Sequence, residues 1–422
     1  MIEAIRIIFV FMIGACVGSF LNVVIYRVPM GRSIVCPPSH CPSCGRPIRW
    51  YDNLPILSWL LLRAQCRDCK APISIQYPLI EAATGLMVVG LYVAYFLAEA
   101  RTLELGPGSP VGRTALDFVR AWPMFVAHAG LLCALLASAA VDLKYYVVPL
   151  PVMWTAAALG AVAVIISPHP FLPSAPATAS AVSAAAGAGI LASLWAIHKS
   201  WLTPSFIDAP DREGPVPPPP PLRKARASDR HRKRKGKGKK GRRRRGSVGA
   251  TGADGVNPRV EVLREVVFLA PAVVLAIVAW VLVTKVPSAA AWWGGWFDAT
   301  AHPVVAPRLA GLGGVLFGFL IGGLWIWGTR IVATIAFGRE AMGMGDVHIL
   351  AGVGAVTGWV VPSLAFFLAP VSGLVIVLYF FVRRRQRELP YGPWLALGTV
   401  LAMVCYDALV RYVGPGLTVL FG

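Results

Sequence analysis

The sequence predicts an all-α polytopic membrane protein with about 8–10 transmembrane helices and a small cytoplasmic zinc-ribbon-like loop domain. Of its 422 residues, 56% are hydrophobic and only 14% are charged, whereas soluble domains carry about a quarter charged residues. Several apolar stretches exceed the ~18 residues that distinguish a bilayer span from a helix of a soluble core. Between the first two stretches lie four cysteines in two Cys-x-x-Cys pairs.

The apolar stretches divide the chain into five regions. These are a first transmembrane helix (1–26), a cytoplasmic zinc-binding loop domain (27–78), a second group of spans (79–202), a polar insertion (203–260) and a third group of spans (261–422). The eighth and ninth spans are separated because Trp359 and Pro362 interrupt one long apolar run. The spans are expected near 4–26, 79–98, 123–141, 147–167, 179–197, 263–284, 308–329, 347–361, 362–382 and 394–413.

Positive charge predicts which loops face the cytoplasm, because loops rich in Lys and Arg are retained there. The loop after the first span is basic, so the N-terminus is expected on the external side. If the following spans cross the membrane in alternating directions, all of the remaining basic clusters also lie on the cytoplasmic side. The clusters lie within 27–70, 198–199, 223–245, 330–339 and 383–387.

The zinc prediction rests on two Cys-x-x-Cys knuckles separated by 21 residues. Each knuckle brings two thiolates to one tetrahedral ion, and four thiolates leave no open position, so the site is expected to be structural. Disulfides are the alternative, but they do not suit a cytoplasmic loop. Cys36 and His40 lie close enough to replace a ligand, although two complete knuckles do not require them. The expected ligands are Cys41, Cys44, Cys66 and Cys69.

Two acids at span ends are the candidate catalytic residues. Asp142 closes the third span and Asp346 opens the eighth, so the predicted topology places both at the cytoplasmic face. Two neighbouring carboxylates cannot both ionise easily, so one can polarise a peptide carbonyl while the other activates water. Glycines at 343 and 345 are expected to allow close approach of a peptide and strained dihedrals beside Asp346.

The alternative is that both acids are interfacial and merely lie where water is available. Asp346 would then lie at a helix N-terminus, where the helix dipole favours a negative charge. Asp142 lies at a helix C-terminus, where its charge opposes the helix dipole, so this alternative explains it less well. Two other acids are comparable: Asp407 has Arg411 one turn further on, and Glu81 at a span mouth has no equally simple explanation.

The net charge of +20 is mostly confined to the insertion. Residues 223–245 contain 15 Lys and Arg and one acid, which gives +14 and leaves +6 for the remainder. With the proline run 217–221, this composition predicts disorder. We expect the tract to lie near anionic lipid headgroups. Nucleic-acid binding is the alternative, but no aromatic residues interleave the charges.

Several motifs together resemble the bacterial type IV prepilin peptidases, a family of GxGD membrane aspartic proteases. The resemblance covers about 14–81, 138–150 and 335–400. The motifs are Gly18-Ser19-Phe20-Leu21-Asn22 continuing to Pro29, Cys36–Cys44 with His40, Trp50–Trp59, Cys66-Arg67-Asp68-Cys69-Lys70, Tyr77–Glu81, Asp142 with Pro149, and Glu340-Ala341-Met342-Gly343-Met344-Gly345-Asp346.

The resemblance implies an integral-membrane aspartic endopeptidase of the bacterial inner membrane, with its active site and zinc loop facing the cytoplasm. Such enzymes cut a basic leader from prepilin or pseudopilin precursors after a glycine. They then methylate the new N-terminal residue with S-adenosylmethionine, for which the sequence shows no binding residues. The alternative from another class is a non-catalytic zinc-ribbon scaffold that recruits partners or nucleic acid through its basic loop.

Three features, two positions and one connection, depart from the family pattern. His348 stands where the family usually has lysine, and we expect it to alter local charge and contact with substrate. Leu150 follows Pro149 where an acid or asparagine is common. The connection between Asp142 and Asp346 is far longer than in the family, which leaves the pairing of the spans open.

Overall fold

A computed structural model describes residues 2–97, 118–199, 258–339, 342–382, 390–406, 408–409 and 412. Most of the basic insertion, together with Asp407 and Arg411, lies outside these residues. The described part is helical, and its only β-structure is two isolated bridges. The helices are α1 (Ile2–Arg27), α2 (Leu57–Leu61), α3 (Gln76–Tyr92), α4 (Phe118–Tyr145), α5 (Leu150–Ile166), α6 (Ala177–His198), α7 (Pro258–Lys285), α8 (Pro287–Gly295), α9 (Val305–Phe337), α10 (Met344–Thr357), α11 (Val360–Val382) and α12 (Gly392–Val404).

The all-α membrane fold predicted from hydropathy is confirmed. Each of the ten predicted spans corresponds to an apolar helix, and α2 and α8 are short additions. In the described chain six helices are long and apolar enough to cross a membrane by length and composition: α1, α3 with its π-helical extension to Leu97, α4, α6, α7 and α9. The apolar helices α5, α10, α11 and α12 are shorter in their described parts.

The break between the eighth and ninth spans is at Gly358 and not between 361 and 362. Gly358 takes φ +79°, a positive value that glycine adopts far more readily than other residues, and ends α10. Pro362 does not break the chain because it falls in the first turn of α11, where its missing N–H has no helical partner to lose. The sequence-based prediction gave the proline too much weight.

The helix ends that carry candidate residues lie at one end of the bundle. Helices α1, α3 and α4 pack against one another. At their shared end, Tyr77 of α3 lies within electrostatic range of Tyr26 in α1 and Tyr145 in α4. The loop with the two Cys-x-x-Cys pairs joins α1 to α3 at this same end, so it lies on the side of the bundle where α4 ends near Asp142.

Helix α10 forms the centre of the second half of the molecule. It packs against α4, α5, α9, α11 and α12, and almost all of its residues from Asp346 to Val356 are buried. Glycines allow the closest of these contacts: a Cβ on Gly318 of α9 would lie only 2.1 Å from the carbonyl oxygen of Gly354. Because protein surrounds α10, its 14 residues can be shorter than a lipid-exposed span.

Two helices flank the polar insertion and pack on each other. Helix α6 precedes the insertion, α7 follows it, and both contact α9. Helix α8 has no buried residues and carries two tryptophans, Trp292 and Trp293, with Trp296 directly after it; Trp293 donates from Nε1 to the Ala177 carbonyl oxygen at 2.7 Å. A tryptophan-rich exposed helix is typical of a membrane–water interface.

Candidate active site and metal centre

Asp142 is buried in the last turn of α4, with one carboxylate oxygen fixed by the backbone. The helix ends where Tyr146 takes φ +58° and donates its N–H to the Asp142 carbonyl oxygen at 2.9 Å. The side-chain Oδ2 of Asp142 accepts a hydrogen bond from the backbone N–H of Gly392 at 3.0 Å. Gly392 is the first residue of α12, so this carboxylate is oriented by a helix N-terminus 250 residues away in sequence.

Asp346 lies in the first turn of α10 and is also buried. Its carboxyl group is close enough to Asp142 for a Coulomb interaction between them. Ile349 lies one turn further along α10. A Cβ on Gly392 would be 3.2 Å from Ile349 Cδ1 and 2.6 Å from Asp142 Oδ2, so Ile349 and Asp142 both lie beside Gly392. The structure therefore brings the two acids to one place, although 204 positions (346 − 142) separate them in sequence.

The two motif glycines differ in what they contribute. A Cβ on Gly345 would lie 2.7 Å from the side chain of Val148, so the close approach of two segments requires glycine there. A Cβ on Gly343 would meet only the Asp346 carboxylate, at 4.0 Å. The expectation of strained dihedrals is wrong, because neither glycine has a positive φ.

His348 packs away from the acid pair. Residues two apart on a helix point to nearly opposite sides, so His348 and Asp346 cannot share a face of α10. The half-buried His348 ring lies 6.1 Å from the ring of Trp154 in α5, and Phe319 of α9 borders the same pocket. His348 therefore contributes to packing between α5, α9 and α10.

The four predicted cysteines converge. Their sulfur atoms all lie within 4.8 Å of one another, and the Sγ atoms of Cys41 and Cys69 are 3.8 Å apart. A tetrahedral ion with Zn–S distances of ~2.3 Å separates its sulfur ligands by about 3.8 Å, so the spacing fits zinc. Backbone N–H groups of Cys69 and Asp68 lower the pKa of the Cys66 thiol to about 7, whereas the pKa of the neighbouring Cys69 thiol is raised to about 11. Neither Cys36 nor His40 joins this group among the described residues.

The two knuckles have the same backbone design. In each, the N–H of the first cysteine bonds to the carbonyl oxygen five residues on, Arg46 or Ala71. The residue after the second cysteine, Gly45 or Lys70, takes a positive φ and donates back to the first cysteine. The bridges His40–Pro47 and Gln65–Pro72 close the two knuckles. The loop is thus a zinc-ribbon-like unit built from a duplicated turn.

Ion pairs tie the knuckles to each other and to the loop. Arg67 makes a bidentate contact with Asp52, at 2.6 Å from Nη2 and 2.9 Å from Nε, and this hydrogen bonding lowers the pKa of Asp52. Arg46 of the first knuckle pairs with Asp68 of the second at 2.9 Å. These contacts bring both knuckles and the segment Trp50–Asn53 together.

Glu81, which had no explanation in the sequence, anchors the loop to the bundle. It is buried near the start of α3, and its Oε2 accepts the backbone N–H of Ile56 at 2.7 Å. Ile56 holds φ +62°, an unfavourable conformation for a β-branched residue. The carboxylate of Glu81 stabilises this turn directly, and its position at the span mouth follows from that role.

Two structural features near the acids were not predicted from the sequence. One is Gly392, whose signal was the segment Pro390-Tyr391-Gly392-Pro393 before an apolar stretch. The other is a buried ion pair between Glu265 of α7 and Arg330 of α9. Glu265 and Arg330 are both charged residues inside apolar helices, and such a charge is itself a signal of a specific role.

Comparison with known proteins confirms the resemblance to prepilin peptidases. Residues 12–95 match the family model described as the bacterial peptidase A24 N-terminal domain. The chain is similar to the prepilin leader peptidase/N-methyltransferase of Myxococcus xanthus, with 55% identity over 100 residues, 24% of this chain and 29% of that protein. The Klebsiella pneumoniae protein of the same name is 36% identical over 156 residues, 35% of this chain and 58% of the relative. One from Burkholderia pseudomallei is 31% identical over 178 residues, 35% of this chain and 50% of the relative.

The matches to these relatives cover less than two thirds of each relative's own length. No solved structure matches this chain.

Proposed function

We propose that this protein is an integral-membrane aspartic endopeptidase that cleaves the basic leader of type IV prepilins or pseudopilins after a glycine at the cytoplasmic face. The observation that carries the proposal is the meeting of Asp142 and Asp346 at one end of the bundle. The similarity to prepilin leader peptidases, together with the membrane-spanning helices, supports the substrate class and an inner-membrane location.

The acid pair can perform peptide hydrolysis with water alone. One carboxyl, protonated, donates a hydrogen bond to the scissile carbonyl oxygen, while the other, ionised, takes a proton from the attacking water. The water oxygen adds to the carbonyl carbon, and the C–N bond then breaks as a proton passes to the leaving amine. The two acids titrate as a unit, so the roles belong to the pair. The Gly392 N–H holds the Asp142 carboxylate in a fixed orientation throughout.

The four-cysteine loop is proposed to hold a structural zinc ion. When bound, zinc would tie the two knuckles into one rigid unit beside the end of the bundle that carries the acids. The names of the similar proteins support a second activity, methylation of the new N-terminal residue with S-adenosylmethionine as donor. We assign none of the described residues to the binding of S-adenosylmethionine.

The test of the peptidase is a pair of isosteric variants. Asp142→Asn and Asp346→Asn keep side-chain size but lose the carboxylates, and each should reduce leader cleavage at least about a hundredfold, as expected for loss of a general acid or base. The substrate is a membrane-inserted precursor with a basic leader, a glycine and an apolar helix, and the product is identified by mass.

The matched control is Asp298→Asn. Asp298 is an exposed acid in the segment before α9, where it caps a local turn through Thr300, and its variant should cleave at the wild-type rate. Cleavage at the wild-type rate by a folded variant of either proposed catalytic acid would sink the peptidase assignment and favour the scaffold alternative.

A further inference from the structure

Glu265 and Arg330 form an ion pair in the interior of the helical bundle. The Arg330 Nη1 and Glu265 Oε1 atoms are 3.0 Å apart, and the two side chains are 7% and 0% exposed. The second oxygen of Glu265 accepts a hydrogen bond from Trp327 Nε1 at 2.8 Å. Burying two charges is costly, and apolar residues of similar size are often as stable, so stability alone does not explain the pair.

The same arginine reaches the segment that carries Asp346. Arg330 Nη1 lies 3.8 Å from the Sδ atom of Met344, the residue between Gly343 and Gly345. Met344 is also the first residue of α10, and Asp346 follows two residues later. The guanidinium of Arg330 therefore connects Glu265 of α7 with the first turn of α10.

That first turn depends on its neighbours for its position. The N-cap residue Gly343 makes no side-chain cap hydrogen bond, so local capping does not secure the helix start. Tertiary contacts hold it instead: Gly345 packs against Val148 on one side, and Met344 meets Arg330 on the other. An arginine fixed by Glu265 is a rigid support for this purpose, because its planar group is restrained by more than one partner.

We propose that Arg330, anchored by Glu265, is a positioning residue that holds the first turn of α10, and with it Asp346, in register with Asp142. This role rests on the proposed peptidase function. It also gives α7, the first described helix after the insertion, a part in the active site, since α7 supplies the carboxylate that fixes Arg330.

The experiment measures kcat and KM for leader cleavage, together with the thermal unfolding midpoint, in purified full-length variants. Arg330→Met leaves Glu265 unpaired and should lower both kcat and the midpoint. The double variant Glu265→Leu/Arg330→Met removes both buried charges, so the midpoint should recover. Its kcat should stay at least about tenfold below wild type with KM within about twofold, because a small misplacement of a catalytic group slows the chemical step.

Two further variants keep the test decisive. Arg308→Met removes a half-buried arginine from the same helix α9, far from the first turn of α10, and should leave kcat unchanged. Glu265→Gln keeps the volume and an acceptor for Trp327 while removing the charge, and should lower kcat in a folded protein. It decides the matter if the double variant does not fold.

The outcomes separate the two hypotheses. Wild-type kcat in the folded double variant or in Glu265→Gln overturns the positioning role and leaves the peptidase assignment intact. Recovery of kcat together with the midpoint shows a purely structural pair and also overturns it. If the wild-type protein cleaves no precursor, the peptidase assignment fails, and the positioning role fails with it.

Discussion

The backbone of Gly392 reaches the Asp142 carboxylate because glycine has no side chain to intervene. A Cβ built at this position would lie 2.6 Å from Asp142 Oδ2 and 3.2 Å from Ile349 Cδ1. Both distances are shorter than ordinary van der Waals contact, and the first cannot be accommodated without movement. The orientation of one proposed catalytic acid thus depends on a residue that has no functional group of its own.

We predict that Gly392→Ala lowers kcat for leader cleavage by at least about tenfold, because the added methyl group displaces the Asp142 carboxylate from its N–H donor. Steady-state cleavage of a purified precursor measures the effect. The matched control is Gly294→Ala in α8, where a Cβ would meet nothing within 4 Å, and this variant should cleave normally. Full activity of Gly392→Ala would show that Asp142 needs no such donor.

At the level of elements, the zinc loop is a duplicated turn. Both knuckles use a left-handed residue after the second cysteine, Gly45 in one and Lys70 in the other. Lysine pays a conformational penalty in that region, and the convergence of four sulfur atoms explains how the penalty is tolerated. Because a metal ion would hold both turns at once, its loss should release the whole loop.

We predict that Cys41→Ser purifies with almost no zinc, whereas the wild-type protein carries about one ion per chain, because three thiolates hold zinc less tightly than four. Metal analysis of the purified proteins is the measurement. Cys36→Ser is the control: this exposed cysteine lies in the same loop but outside the four-sulfur group, so its zinc content should not change. Equal zinc in both variants would contradict a four-cysteine site.

For the molecule as a whole, the two helices that flank the long insertion are joined through α9 to the helices that carry the two acids. Helices α6 and α7, on either side of the insertion, pack on each other and on α9. Helix α9 in turn packs closely against α10, with Gly318 in contact with Gly354. An insertion can therefore be tolerated between the two acids, because the helices that flank it extend the bundle from the outside.

We predict that the basic tract 223–245 binds anionic lipid. With the full-length protein in lipid nanodiscs, trypsin should cut the tract several-fold more slowly in anionic than in zwitterionic lipid. The difference should disappear at about 1 M salt, where the Debye length falls to ~3 Å. Equal cutting rates in both lipids at low salt would refute the prediction, and protection by added RNA alone would favour the nucleic-acid alternative.

Much of the fold could be predicted because it depends on local sequence. Long apolar stretches specify helices wherever the backbone must satisfy its own hydrogen bonds, so each of the ten predicted spans contains an apolar helix in its described part. The four cysteines were also identifiable, since Cys-x-x-Cys spacing reflects the reach of one knuckle around one ion. The helix break near 358 was placed incorrectly for two reasons. Gly358, with its positive φ, ends α10 before the proline is reached, and the first turn of α11 accepts Pro362 without a break.

The sequence by itself determined the membrane class, the helices, the four cysteines that converge and the two candidate acids, because each is visible as a local pattern or motif. Only the tertiary structure decided what surrounds those acids. The Gly392 donor to Asp142, the contacts of Arg330 with Met344 and Glu265, and the packing of His348 against Trp154 depend on which faces of distant helices meet. Helix rotation and packing are properties of the whole bundle, so no single segment encodes them.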